Sequence, residues 1–128
     1  MKRTLIYKMI SYVFMSEKNK IIANLESDLE TADEIYSIIH SRKQNFDRRI
    51  FLDFDFEKTE KEKLTILGYY KYGALEFFDE EIQLLILKVI NSDAGDLAYE
   101  KELNHLYNFL IGFQSRMRME INKRKTNN

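Results

Sequence analysis

Apolar residues recur at every third or fourth position over most of this chain, which is the spacing of a helix with one buried face. Between residues 4 and 15 the stripe consists of Leu5, Ile6, Met9, Ile10, Val13 and Phe14. From Lys18 to about Lys43 it consists of Ile21, Ile22, Leu25, Leu29, Ala32, Ile35, Tyr36 and Ile39. Ser16 is a candidate N-cap for this second helix, although nothing in the sequence prevents residues 1–43 from forming one continuous helix.

Residues 50–57 follow a different pattern, because apolar and acidic side chains alternate along much of the segment. Its apolar set is Ile50, Leu52, Phe54 and Phe56. Period two with aromatic and β-branched residues predicts a short, half-buried strand. The sequence contains no second alternating run, so this segment either pairs with its own copy in a dimer or lies as an extended linker against the helices.

Three further helix patterns occupy the second half of the chain. Thr59 and Glu62 match a capping box, which predicts a helix start at Thr59. The stripe that follows is Leu64, Leu67, Tyr70, Lys71, Ala74, Leu75 and Phe78, with Gly68 and Gly73 as points where the helix bends or ends. Asp79 precedes a nearly all-apolar helix over 82–90, widened by Leu84 and Leu87, which we expect to be central. Asp96 precedes a final helix that carries Tyr99, Leu103, Leu106, Tyr107, Leu110, Ile111, Gln114, Met117 and Ile121.

The sequence therefore predicts an all-α fold, a single-domain bundle of four to five helices with one short extended segment near residues 50–57. The chain has 128 residues with no proline and no cysteine, so the strongest helix breaker is missing. One domain over residues 1–128 is expected, with a disordered tail from about 125 to 128. The predicted core unites Ile21, Leu25, Leu29, Ile82, Leu85, Val89, Leu103, Leu106 and Leu110.

Charged residues nearly cancel but are distributed in blocks. The chain has 20 Lys and Arg against 21 Asp and Glu, for a net charge of -1. Residues 25–40 contain acidic residues and no Lys or Arg, residues 73–102 are mainly acidic, and the C-terminal end is basic. A near-neutral total disfavours both disorder and a surface that saturates with nucleic acid. We expect blocks of opposite sign to face one another within the bundle or across a dimer.

Few residues indicate catalysis or metal binding. Asp53, Asp55 and Glu57 carry oxygen ligands for a hard cation, but their spacing fails the calcium-loop pattern, and a solvated strand face is the preferred interpretation. Glu102 and His105 have the Glu-x-x-His spacing of di-iron bundles, but a second such pair is missing. Nucleophile motifs and phosphate-binding glycine loops are missing too. We predict no enzyme, no metal and no cofactor, although an active site built from Asp, Glu, Lys and Tyr has no recognisable pattern.

Aromatic residues are concentrated in residues 68–78, where the spacing on a helix directs Tyr69 and Tyr72 away from Tyr70. Tyrosines beside a lysine can stack on bases, but they are also enriched at protein interfaces, and the acidic residues nearby repel phosphate. We predict a protein-binding surface, with ordinary core and boundary packing as the alternative. The candidate interface residues are Phe54, Phe56, Tyr69, Tyr70, Tyr72 and Phe77.

Basic clusters leave a second function open, namely a DNA- or RNA-associated regulator that uses residues 42–49 and 116–125. The candidate contacts are Arg42, Lys43, Arg48, Arg49, Arg116, Arg118, Lys123 and Arg124. Against this hypothesis, the sequence shows no helix-turn-helix and no recognition helix rich in Arg, Asn or Gln.

The N-terminal residues combine a basic start with an apolar centre, as a signal peptide does. Lys8 interrupts the apolar stretch, which is far shorter than the ~20 residues of a membrane span, so we interpret it as a first helix of a cytoplasmic protein without a membrane partner. The bias toward Ile, Lys and Asn is typical of an AT-rich bacterial or mobile-element genome. The sequence thus predicts a small, non-catalytic regulatory module that binds another protein and forms a homodimer. The sequence does not identify the partner.

Overall fold

The computed structural model describes residues 16–47, 56–92 and 97–126, which form four α-helices and no strand. The helices are α1 (Glu17–Asp47), α2 (Phe56–Lys71), α3 (Glu80–Asn91) and α4 (Leu97–Thr126). This all-α helical bundle confirms the predicted fold class. No helix among the described residues combines the length and apolar character needed to cross a membrane.

The two long helices, α1 and α4, form the most extensive packing in the bundle. They run antiparallel, because Lys43 near the end of α1 contacts Asn104 near the start of α4, while Glu26 lies beside Lys125 at the opposite ends. At 1.5 Å per residue, each helix is about 45 Å long. The shorter helix α3 packs against both α2 and α4, as expected for a central element.

The hydrophobic core contains residues from all four helices and from the turn between α2 and α3. Its fully covered side chains are Ala32, Ile35, Ile39, Ile66, Leu75, Ile86, Val89, Ile90, Leu106 and Leu110. The predicted core residues found buried are Ile82, Val89, Leu103, Leu106 and Leu110, while Leu85 packs at its edge and Leu25 and Leu29 are half-buried. Ile21 is exposed, because its neighbour Ile22, about 100° further round the helix, takes the inward position.

The helix starts agree with the sequence at α1 and disagree at α2. The Asn19 backbone N–H donates to Ser16 Oγ at 3.2 Å, which confirms Ser16 as the cap of α1. The predicted start of α2 at Thr59 is wrong, since the helix begins at Phe56 and places Thr59 within its first turn. Phe56 and Glu57 are therefore helical, while residues 50–55 of the predicted extended segment lie outside the described residues. A helix pairs its own backbone, whereas a strand needs a partner.

Helix α2 ends at Lys71, where Gly73 adopts a left-handed backbone with a φ of 80°. The Gly73 N–H donates to the Tyr70 carbonyl at 3.3 Å, and the Ala74 N–H donates to the Tyr69 carbonyl at 2.8 Å. These two bonds form a Schellman motif, which pairs the last carbonyls of the helix and favours glycine at this position. The prediction that a glycine ends this helix early is confirmed.

The ends of α3 and α4 match the predictions only in part. Asp79 precedes α3 and accepts the Gln83 N–H through its backbone carbonyl, without a side-chain cap bond. Leu87 packs against the core, but Leu84 is exposed, so the predicted widening of this face is half wrong. The predicted cap Asp96 lies outside the described residues. Lys125 and Thr126 belong to α4, so the expected disordered tail does not include them.

Candidate interaction surface

Arg42 of α1 lies at a junction of helices and not on a free basic patch. Its Nη1 donates to the backbone carbonyls of Ile90 at 3.2 Å and Val89 at 3.5 Å, in the last turn of α3. Its Nη2 lies 3.8 Å from Glu62 Oε1 of α2, and the two side chains are only 13% and 15% exposed. A cation here adds a donor to the last carbonyls of α3, of which Val89 also accepts the Ser92 N–H, and complements the negative end of the helix dipole. Burial raises the pKa of nearby Tyr99, an effect that the Arg42 guanidinium opposes.

Lys43, the next candidate for nucleic-acid binding, is engaged between α1 and α4. Its Nζ donates to Asn104 Oδ1 at 2.7 Å and lies 5.5 Å from the centre of the Tyr107 ring. Tyr107 stacks with Tyr36 and His40 of α1 at centroid distances of 5.8 and 6.0 Å. A hydrogen bond to Tyr107 raises the pKa of Tyr36. Lys43 therefore belongs to a helix contact.

The acidic block of α1 faces the basic end of α4 within one chain, as predicted from the charge distribution. Arg118 Nη2 lies 2.9 Å from Asp33 Oδ1, which also accepts from Gln114 Nε2 at 2.6 Å. Lys125 Nζ lies 3.6 Å from Glu26 Oε1. A groove of about 380 Å³ runs between these pairs and has Leu29 and Ile121 among its lining residues. Two of the three carboxylates that line this groove, Glu26 and Asp33, have cationic partners, and Glu30 is the third.

The remaining basic candidates do not form a common cluster either. Arg124 Nε pairs with Glu120 Oε1 at 2.9 Å one turn away, while Arg116 and Lys123 are exposed on α4. Arg48 and Arg49 lie outside the described residues. The structure therefore does not gather the described basic candidates into one free surface.

The structure describes three of the residues considered for metal binding, Glu57, Glu102 and His105. Glu57 is in the first turn of α2, whereas Asp53 and Asp55 lie outside the described residues. Glu102 accepts from Lys88 Nζ of α3 at 2.6 Å, and His105 is exposed. Over the described ranges no group of three acidic, His or Cys side chains converges on a metal-sized site.

Two of the predicted interface aromatics pack inward. Tyr69 lies against the core and donates its hydroxyl to Glu34 Oε2 of α1. Burial and, after it, the hydrogen bond to Glu34 raise the pKa of Tyr69 well above its ordinary value. Phe77 packs against Phe78 and Phe113 at centroid distances of 4.2 and 5.6 Å. For Tyr69 and Phe77, the alternative of boundary packing is the observed one.

The outward side of α2, in contrast, carries large apolar side chains. Leu64 is 68% exposed, Leu67 is 41% exposed and Tyr70 is 46% exposed, and in the following turn Tyr72 is 82% exposed. We define the outer face of α2 as Glu60, Leu64, Leu67, Tyr70 and Lys71. Tyr70 and Tyr72 are thus exposed members of the predicted interface, while Phe54 and the Phe56 side chain lie outside the described structure.

Leu64 and Leu67 are interface candidates that sequence reasoning missed. Their three-residue spacing places both on one helix face, and that face was predicted to be buried. The structure buries Ile66 and half-buries Tyr69 in their place, so the assignment of the inner face was wrong. One signal was available, because Glu60 and Lys71 lie on the same face as the leucines, and charged residues are rarely turned into a core.

Gly68 adds a second observation at this surface. A Cβ placed on Gly68 meets no atom within 4 Å from other parts of the described chain, so the packing of these residues does not require a glycine here. Glycine inside a helix costs about 1 kcal/mol relative to alanine. No contact among the described residues explains this cost at Gly68. At Gly73, in contrast, the left-handed backbone explains why a glycine is present.

No known protein-family model matches this chain, and no curated protein or solved structure shows significant similarity to it.

Proposed function

We propose that this protein is a small, non-catalytic cytoplasmic module that acts by binding another protein through the outer face of α2 and Tyr72. The single observation that carries the proposal is the outward position of Leu64 and Leu67 on a helix whose other side packs in the bundle. Exposed apolar side chains that adjoin one another and have charged neighbours are typical of protein interaction sites.

The surface chemistry favours a protein partner over nucleic acid. Nucleic-acid binding depends on cations that are free to contact phosphate. Arg42, Lys43 and Arg118 instead contact α3, Asn104 and Asp33 within the chain. The outer side of α2 carries Glu57 and Glu60 with Lys63 and Lys71, so its charges cancel and leave no excess that would attract phosphate.

The occupant that fits this face is an apolar ridge of another folded chain, most simply a helix. A helix that packs on α2 covers Leu64 and Leu67 with its own apolar side chains and leaves the charged ends at the polar rim. Tyr70 and Tyr72 supply rings with polar tips, which suit the edge of an interface.

The test is affinity capture from the native host with three versions of the full chain as bait. These are the natural sequence, Leu64→Lys with Leu67→Lys, and a matched control with Leu84→Lys on α3 and Met119→Lys on α4. The control removes two exposed apolar side chains from other helices. We expect one protein to be enriched by the natural and control baits and lost with the α2 variant, and its purified form to reproduce this order by calorimetry.

Equal enrichment by all three baits contradicts the proposal. It is also contradicted if oligonucleotides bind with nanomolar affinity that survives an increase from ~50 to ~200 mM salt, because contacts through a few cations lose affinity steeply over that range. In that case the nucleic-acid regulator replaces the protein-binding module.

A further inference from the structure

We infer that the outer face of α2 binds a second copy of this chain, with the two α2 helices antiparallel about a two-fold axis. The inference rests on the proposed function only in placing the binding surface on this face. It adds the identity of an occupant and the register in which the two helices meet.

Four residues of α2 form a narrow stripe along the outer face. At about 100° per residue, Glu60, Leu64, Leu67 and Lys71 fall within an arc of about 60°. Their spacing of four, three and four residues is that of the contact seam in a coiled coil. Two leucines therefore occupy the middle of a short seam, with Glu60 at one end and Lys71 at the other. Within the chain, Glu60 Oε1 lies 3.6 Å from Lys63 Nζ, and the Glu60 side chain stays 44% exposed.

This seam is complementary to itself when one copy is reversed. A two-fold axis midway between Leu64 and Leu67 places Leu64 of one protomer opposite Leu67 of the other. The same axis places Glu60 opposite Lys71 at both ends of the seam. Symmetric dimers need a surface that matches its own copy, and opposite charges at both ends meet that need. A parallel pairing would place Glu60 against Glu60 and is disfavoured.

Gly68 lies beside the seam, about 80° from Glu60 around the helix. Glycine permits two helices to approach closely, because no Cβ separates the backbones. Because a Cβ at Gly68 meets no atom within 4 Å from elsewhere in the described chain, this side of α2 is open to the close approach of a second helix.

The size of the seam sets the expected affinity. A helix of 16 residues is about 24 Å long, so two such helices bury less than the ~800 Å² per partner of a standard interface, even with Tyr70 and Tyr72 at the rim. We therefore expect a dissociation constant of about the micromolar range and a monomer–dimer equilibrium that dilution shifts.

Sedimentation velocity on the full chain from about 1 μM to 1 mM measures this equilibrium. The single variants Glu60→Lys and Lys71→Glu each place like charges at both ends of the antiparallel seam, and we expect each to weaken dimerisation roughly tenfold. The double variant exchanges both signs and restores opposite pairs, so its dissociation constant should return to within about threefold of the natural one. Arg124→Glu, at an exposed ion pair on α4, is the matched control and should change nothing.

Gly68→Leu tests the close approach independently of charge. We expect it to weaken the dimer at least roughly tenfold while raising the unfolding temperature of the dilute protein, because glycine is a poorer helix former than leucine. A merely structural role of Gly68 would lower stability instead. Circular dichroism of each variant confirms that helix content is kept.

The possible outcomes separate this inference from the proposed function. A natural chain that stays monomeric to about 1 mM overturns the dimer, as does a dimer that is unaffected by the two single charge variants. In either case, loss of a captured partner with the α2 variant still supports the protein-binding module. A dimer that is weakened by both single variants and not restored by the double variant overturns the antiparallel register.

Discussion

The two sides of α2 differ in a way that reverses the usual arrangement of a surface helix. Its inner side uses polar groups for attachment, because Glu62 lies at the Arg42 junction and Tyr69 donates to Glu34, with Ile66 as the fully buried apolar residue. Its outer side exposes Leu64 and Leu67 to solvent. A helix evolved only to complete a core would place the leucines inward.

This difference shows that amphipathic spacing identifies a helix without identifying which face is covered by its own chain. The inner side of α2 is defined by specific hydrogen bonds and by Ile66, and the outer side by the lack of any cover from the described residues. If this distinction is correct, substitutions on the inner side change stability, and substitutions on the outer side change association.

The largest expected contrast is between Ile66→Ala and Leu64→Ala. Ile66 is completely buried, so truncation should lower the free energy of unfolding by about 2 to 5 kcal/mol through lost burial and a cavity. Leu64 is mostly exposed, and its truncation should change the free energy of unfolding of the monomer by less than about 0.5 kcal/mol. Urea unfolding at low protein concentration measures both. Similar losses for the two variants would show that the assignment of the two sides is incorrect.

A smaller effect is expected from Arg42→Met at the inner junction. The substitution leaves Glu62 and the last carbonyls of α3 without their cation, and we expect a loss of about 2 to 3 kcal/mol. Arg124→Met, at an exposed pair with Glu120, should cost about 0.5 kcal/mol or less. Chemical denaturation gives both values. Equal costs for the two variants would place Arg42 among surface cations and reopen its role in nucleic-acid binding.

The smallest effect concerns Tyr69 and depends on pH. The pKa of Tyr69 is raised in the folded state above the ordinary value of 10.0, so its stabilising contribution is complete below about pH 10 and is lost as the pH rises further. Tyr69→Phe removes the hydrogen bond to Glu34 and should cost about 1 kcal/mol at pH 8.

That difference between the natural protein and Tyr69→Phe should shrink above pH 10. Urea unfolding from pH 8 to 11 checks the trend, and subtraction of the two curves removes the titration that both proteins share. Two parallel curves over this range would contradict a raised pKa at Tyr69.

Local features of the chain determined the helices. The period of apolar residues, the Ser16 cap and the left-handed Gly73 depend on neighbours within about one helical turn, so residue order is sufficient to predict them. The sequence also shows that charges are arranged in blocks, but the pairing of the acidic part of α1 with the basic end of α4 depends on the antiparallel packing of two distant helices.

Only the tertiary structure decided which side of α2 is covered and which cations are engaged. Residues 42 and 90, or 34 and 69, are separated by dozens of positions, and no local pattern records that they meet. The start of α2 at Phe56 is a related case, since the alternating pattern fits a strand equally well until a partner for its backbone is required. Helix formation is a short-range property of the backbone, whereas burial and charge pairing depend on how distant helices pack.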